Sequence, residues 1–450
     1  MKLLLATQYF VYFGTLGIAL PYFNLFCRHL GFSGFEIGLI SSVKTAAVVI
    51  FPVLWAMAAD RFNSRKSIFI LCTLMSAFLW SLLFFTREFL PILIILTVYS
   101  VFYSPIIAFI EAFAMNILGK EKKKYGHSRV WGTIAFIGVS LVLGKILLVY
   151  PTDIIIPLIL AGMVMQSLLS LKMPDSKKKE IDKKGVEASE EIKDGAWIEK
   201  KVCEKSQIWN NAHALMGTTK NESRMIAHIP KDFHIKVSET ERKPEDGAGR
   251  SWSEFRDFFS LRTSLFLFAA FLMLASHGAY YGFFSIYLES LGFGTGFIGF
   301  AWALASIAEI AVMVNSDRIF SRFNLKTVMM ISFGAAFVRW LLLFSTSLSH
   351  DLLLFNHATS IVILVSQLLH AFTYGSFHIA SILAIDRLSP EGTTFGQAVN
   401  NAVTYGAGMM TGFMISGIFY DNFHAYLFLA SGGVALAGGI TILYVKFDSH

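Results

Sequence analysis

Leu30-Gly31-Phe32, then Ile37-Gly38, then Arg61-Phe62-Asn63 return in the same order as Leu291-Gly292-Phe293, Ile298-Gly299 and Arg322-Phe323-Asn324. The steps from 30 to 291, from 37 to 298 and from 61 to 322 share one offset of 261 residues, and Arg65 meets Lys326 at the same offset. Chance tripeptides are common, but a constant offset over about thirty residues with matching hydropathy marks a duplicated unit. The chain reads as two copies of one half, joined in parallel.

Both halves are apolar. The 450 residues are 55% hydrophobic and 15% charged, with a mean hydropathy of +0.58, whereas soluble domains carry about a quarter charged residues. Apolar runs of about twenty residues recur, long enough to cross a hydrocarbon core as helices. Lipid offers no partner to open backbone groups, so runs of this length are expected to be helical. The ten-residue alternating segments of a β-barrel are not seen. Spans are expected near 4–27, 34–58, 67–86, 89–118, 127–150 and 153–171, and again near 263–290, 296–316, 326–347, 357–386, 394–419 and 423–446. The expected fold class is an all-α membrane protein, with twelve transmembrane helices in two parallel-duplicated six-helix halves, 1–171 and 261–450.

Charge sits between the spans. Arg61, Arg65 and Lys66 fill one loop; Lys120, Lys122, Lys123, Lys124 and Arg129 fill or flank another; Arg318, Arg322 and Lys326 fill a third. The alternate loops hold only Arg28 and Arg87 as strong bases. The positive-inside rule then puts the basic loops, both termini and the central segment in the cytoplasm. These loops account for the net charge of +7 without any nucleic-acid partner. Lys2 is followed by a full-length apolar run with no small-residue cleavage site, so the N-terminus reads as the first span of a multi-pass cell-membrane protein. Cys27, Cys72 and Cys203 are scattered and show neither metal spacing nor a disulfide framework. The linker, 172–260, mixes acids and bases, as in KKKEIDKK at 177–184. It cannot bury a core and is expected to be cytoplasmic and largely disordered. Trp252–Phe259 is more amphipathic and is expected to form a short interfacial helix.

Several stretches now carry a resemblance. AADRFNSRK at 58–66 resembles the loop signature that follows the second helix of the major facilitator superfamily, although Ala56 and Asn63 stand where that signature has glycines. YGHSRVWGTIAF at 125–136, SHGAYYGFFSIYLESLGF at 276–293, RW at 339–340 and LLHAFTYGSFHIAS at 368–381 resemble the fifth, seventh, ninth and tenth helices of the branch that holds the phenylpropionate and lactose permeases. The resemblance spans both halves and leaves out only the central segment. It implies a secondary transporter with a substrate site at midplane between the halves. It also implies a conformational gating loop of Asp60, Arg61, Arg65 and Lys66. Fold and family do not by themselves fix the ligand.

Ionisable groups at bilayer depth are costly and usually face a cavity. Here they are Lys44, Glu111, Arg129, Glu309, Arg339, His370 and His378. Glu111 and Arg129 are equidistant from the loop 119–124, so antiparallel helices hold them at one depth. Glu309 and Arg339 stand in the same relation to the loop 317–326 and are expected to face each other. Gln367, His370, Tyr374 and His378 share one helical stripe. Tyr280, Tyr281 and Phe284 are suited either to stacking on an apolar ligand or to ordinary helix packing. In the lactose permease branch, the resemblance implies, Glu111, Arg129 and Phe136 occupy ligand-binding positions, and Glu309, Arg339 and His370 occupy ligand and coupling positions. Thr373 stands where that branch has its proton-releasing acid, Gln367 where it has a lysine and Phe284 where it has an aspartate.

The function expected is proton-coupled symport of a small organic solute. An arginine in each half and aromatic walls suit an aromatic carboxylate. The substrate-binding residues would be Glu111, Arg129, Phe136, Tyr280, Tyr281, His370 and His378, with Glu309, Arg339 and His370 in proton coupling. A sugar or nucleoside symporter is the near alternative. A transporter-like sensor or scaffold, signalling through the central segment, is an alternative of another class. No HExxH, GxSxG or GxxxxGK[ST] motif and no metal cluster occurs, so neither an enzyme nor a nucleotide-driven pump is expected, nor any cofactor. The expected partners are a small-molecule substrate, protons and the lipid bilayer, with the chain a monomer.

Overall fold

In the computed structural model the described residues are 1–118, 125–174, 258–348, 356–388 and 393–447. Among them the secondary structure is helical, with no strands. Twelve helices are long and apolar enough to cross a membrane. They are α1 (Lys2–His29), α2 (Gly34–Arg61), α3 (Arg65–Phe85), α4 (Phe89–Leu118), α5 (Ser128–Ile146) and α6 (Thr152–Leu171), then α7 (Leu261–Ser290), α8 (Thr295–Val314), α9 (Leu325–Ser345), α10 (His357–Leu388), α11 (Phe395–Phe423) and α12 (Tyr426–Tyr444). The basic loop 119–124 and almost all of the 172–260 linker, including its expected disorder, lie outside the described residues. Of the expected interfacial helix only Phe258 and Phe259 are described, and Phe258 packs edge-on against Phe395.

The duplicated sequence has a duplicated geometry. Gly31 closes α1 at φ +88° and Gly292 closes α7 at φ +84°, the left-handed conformation that a Cβ disfavours. Phe32 N–H then returns to Cys27 O at 3.1 Å, and Phe293 N–H to Leu288 O at 3.0 Å. Both turns are the same helix-ending motif, in which backbone bonds satisfy carbonyls that the helix leaves open. At the basic loop after α2, Asn63 takes φ +50°. Asparagine is among the few side chains that tolerate this region, so replacing the signature glycine keeps the turn. The same loop is tied by an Arg65–Asp60 ion pair at 2.7 Å.

The halves meet along two antiparallel seams. In one, α2 lies on α11 through bare glycine surface: a Cβ on Gly38 would stand 2.6 Å from Phe413 O, and one on Gly417 would stand 2.7 Å from Gly34 O. In the other, α5 lies on α8. Thr295 donates to Gly144 O at 2.8 Å, Tyr22 donates to Ser140 O at 2.8 Å, and a Cβ on Gly299 would stand 2.3 Å from Ser140 O. Asn24 of α1 also donates to Gly282 O of α7 at 2.9 Å, and Ser42 lies 3.0 Å from Met410 O. Arg28 bonds Asp421 at 2.9 Å, and His29 bonds Glu289 at 2.9 Å.

All of these contacts lie on the side away from the basic loops. The deepest along α2 is Val49 against Gly406, and the deepest along α5 is Ser140 against Gly299. From there the cleft continues for about 16 Å, the rise of eleven helical residues, to Arg129. Along that stretch, among the described residues, no hydrogen bond or ion pair joins α5 to α8. The polar and glycine contacts between the halves are therefore gathered at the end away from the basic loops.

Candidate functional site

Each half holds one charged cluster, exposed in the N-terminal half and buried in the C-terminal one. On the N-terminal wall, α4 and α5 hold Glu111 and Arg129 level, and the two pair at 2.6 Å. The pair is half-exposed, with 38% and 46% of the side chains accessible, so it faces the opening. Tyr125 completes it: its hydroxyl donates to Glu111 at 3.2 Å and accepts from Arg129 at 2.7 Å. Tyr125 was not singled out in the sequence, although it lies four residues before Arg129 on the same helical face, a spacing that makes neighbours. Arg129 also lies over the Phe13 ring at 5.9 Å. Phe136 is buried, with its backbone against Gly17 of α1. It is packing between α1 and α5 and offers no open stacking face.

The C-terminal wall is organised differently from the sequence expectation. Arg339 does not face Glu309. It is 0% exposed and points into the bundle among α7, α9 and α10. Its Nε donates to Ser366 O at 3.0 Å, one Nη to His370 Nδ1 at 2.9 Å and the other to Gln367 Oε1 at 3.3 Å. Its guanidinium lies over the rings of Tyr280 at 4.0 Å and Trp340 at 4.6 Å. Equal depth set Glu309 and Arg339 at one level but left their rotation about the helix axes undetermined. Glu309 instead lies against bare Gly375 of α10, 3.2 Å from where a Cβ would stand. No hydrogen bond or ion pair reaches its carboxylate among the described residues.

The hydrogen-bond chemistry fixes the histidines. Arginine only donates, so His370 Nδ1 must accept, and the ring proton sits on Nε2, 3.3 Å from the Tyr281 hydroxyl. Tyr280 donates to Gln367 Oε1 at 2.9 Å. His277, which the sequence reading did not single out, is fully buried beside them. Its Nδ1 donates to Met273 O at 2.8 Å and its Nε2 accepts from Thr373 at 3.2 Å. Thr373 thus fills the position of the missing acid as a hydroxyl link between α7 and α10. Arg339 consequently has neutral acceptors and aromatic faces, and no carboxylate partner among the described residues.

The stripe on α10 holds together despite a π-helical turn over Ala371–Ser376. His370 stacks on Tyr374 at 5.5 Å and Tyr374 on His378 at 6.4 Å. A second π-helical turn, Asn401–Gly408 in α11, presents Tyr405, whose hydroxyl lies 2.5 Å from His378 Nδ1. Such turns widen the helix and recur at functional sites. No sequence signal marks Tyr405, because its partner lies on another helix. Lys44 lies 4.9 Å from the Phe23 ring centroid, toward the N-terminal bundle, and has no ion pair among the described residues.

The comparisons with known proteins agree with this architecture. Residues 3–430 match the family described as "MFS_1 like family". The chain is 23% identical over 436 residues to the "Probable 3-phenylpropionic acid transporter" of Escherichia coli (strain K12), covering 96% of this chain and 94% of that one. It is 21% identical over 456 residues to "Uncharacterized transporter YwbF" of Bacillus subtilis (strain 168), covering 98% and 92%. Among solved structures, the nucleoside transporter NupG superposes with a TM-score of 0.72 at 18% identity, covering 99% of both chains. At that identity the likeness concerns the fold.

Proposed function

We propose, from the premise that the chain belongs to the MFS_1-like family of major facilitator transporters, that it is a proton-coupled symporter of an organic anion, an aromatic carboxylate above all. That it is a multi-pass membrane transporter, and not an enzyme, follows from the family. The substrate, the coupling ion, the monomeric state and the cell-membrane orientation with both termini inside are our reading. The observation that carries the substrate class is Arg339, fully buried among aromatic rings with only neutral acceptors around it. A second membrane-embedded cation without an ion pair, Lys44, adds to the positive balance. Buried charge is expensive unless compensated, and a ligand carboxylate held in front of these rings would compensate it through the field. A neutral sugar does not.

The α5–α8 seam supports a reading of how the halves alternate. Gly144 opposes Thr295 and Ser140 opposes Gly299, four residues along each helix, so the register is constant. Continued eleven residues toward the basic loops, Arg129 falls opposite Ile310, one residue from Glu309. Closing that end would bring Glu309, a carboxylate with no hydrogen bond or ion pair among the described residues, beside Arg129, so whether it carries a proton bears on the change of state. On this reading Glu111, Arg129, Tyr281 and His378 meet the substrate, and Glu309 carries the proton. Tyr280, Arg339 and His370 hold the positive field behind them.

The test is uptake into proteoliposomes of a panel of aromatic acids, nucleosides and sugars, with and without a pH gradient. Aromatic acids should accumulate only with the gradient. Glu309→Gln should abolish accumulation and leave exchange between preloaded vesicles. Uptake of neutral solutes alone, or accumulation by Glu309→Gln, refutes the reading. Deleting residues 176–248 should leave uptake intact, whereas a sensor would lose its output.

A further inference from the structure

Among the described residues, two side-chain ion pairs join the halves at the closed end of the molecule, and one of them is a histidine pair. His29, the last residue of α1, places Nε2 2.9 and 3.0 Å from the two carboxylate oxygens of Glu289 on α7. Its Nδ1 lies 2.9 Å from the Thr152 hydroxyl at the start of α6. Both partners are open to water, at 40% and 38% side-chain exposure. Of the other titratable groups at this end, Glu88, Lys145 and His424 bond neither His29 nor Glu289 among the described residues, and four more pair with one another. Arg28 bonds Asp421, whose other oxygen accepts from Gly34 N–H at 2.6 Å. Arg87 lies 3.7 Å from Asp153, and Glu36 is closed onto Ser33 in a capping box. Glu289 therefore has His29 as its one cationic partner among the described residues.

We infer that His29 and Glu289 form a pH-sensitive clasp on the side away from the basic loops, so that acid on that side favours closure of the cleft there. Imidazole changes charge between pH 5 and 8. The hydroxyl of Thr152 can donate to Nδ1 or accept from it, so the protonated ring meets no repulsion at either nitrogen. When the halves part, Glu289 leaves His29. The charged pair is thus made only in the closed state and only with a protonated ring, so its contribution is present at low pH and lost as pH rises. An ion pair this exposed changes an equilibrium by about 1.5- to fivefold, enough to bias a transporter that works near balance. In a symporter bringing substrate in from that side, this bias favours closure behind a loaded site. The inference rests on the reading of the chain as an alternating transporter, but its test measures closure and not transport, so the two can fail separately.

The full chain, with Cys203→Ser and with spin labels at Tyr150→Cys and Leu348→Cys, is placed in nanodiscs, and the inter-label distance distribution is recorded from pH 5 to pH 8. Both label sites are exposed at the closed end, one in each half, at 58% and 70%, and Cys27 and Cys72 are buried. The short-distance population should fall by about 1.5- to fivefold, relative to the long one, as pH rises. His29→Gln should flatten the profile, as should Glu289→Gln. His29→Arg, which keeps a charge at every pH, should hold the low-pH distribution throughout. A wild-type profile independent of pH, or a dependence that survives in His29→Gln, overturns the proposal. A variant that loses both distance populations is replaced by the other two, whose profiles decide in the same way.

Discussion

The α5–α8 seam permits a sharp test through Gly299. A Cβ there would stand 2.3 Å from Ser140 O and 2.3 Å from the Tyr22 hydroxyl. Ordinary contact begins near 3.4 Å, so Gly299→Ala forces the two helices apart by about 1 Å. The carbonyl belongs to a helix backbone and cannot swing aside. Tyr22 is held by its own bond to Ser140 O. Overpacking of this kind costs about 1–3 kcal/mol, which lowers the closed-to-open ratio at that end by about 5- to 150-fold. The clash exists only while the halves touch, so each six-helix half should keep its own stability. The assay uses Ser41→Cys as reporter in a Cys203→Ser background. Ser41 is buried beside Asn24, which bridges to Gly282 of the other half. Alkylation by a membrane-impermeant maleimide, applied on the side away from the basic loops, should accelerate in Gly299→Ala by a factor in that range. An unchanged rate with an intact melting transition would show that the seam is not what closes the molecule.

Three further outcomes are expected. Arg129→Lys should nearly abolish uptake while the protein still inserts and folds, because a point charge cannot hold Glu111 and Tyr125 as the planar fork does; wild-type uptake would reduce the pair to a structural bridge. Arg339→Lys should lower the thermal midpoint by several degrees. One ammonium cannot reach Ser366 O, His370 and Gln367 together, and each buried group left unpaired costs about 1–3 kcal/mol; an unchanged midpoint contradicts this. Cysteines placed in the loops 61–66, 119–124 and 317–326 should resist impermeant reagents applied to intact cells, and efficient labelling there would invert the topology.

The number and class of the helices were legible in the sequence because membrane spans obey local rules. Length and hydropathy set each span, and the repeat at offset 261 set the two halves, down to the paired left-handed glycines Gly31 and Gly292. The Glu111–Arg129 pair was legible too, since one hairpin fixes the relative depth of its two helices, and Tyr125 was within reach of the same reasoning. What failed was rotation about the helix axis. Glu309 and Arg339 share a depth, yet one faces the cleft beside Gly375 and the other is sealed behind Tyr280 and Trp340. The glycine seams, the clasp of His29 on Glu289, the His277–Thr373 link and the contact of His378 with Tyr405 all join residues far apart in the chain. Composition and spacing constrain how deep a residue lies, because the bilayer is a one-dimensional field. Only packing of twelve helices against one another decides which face each side chain presents, and so which charges meet.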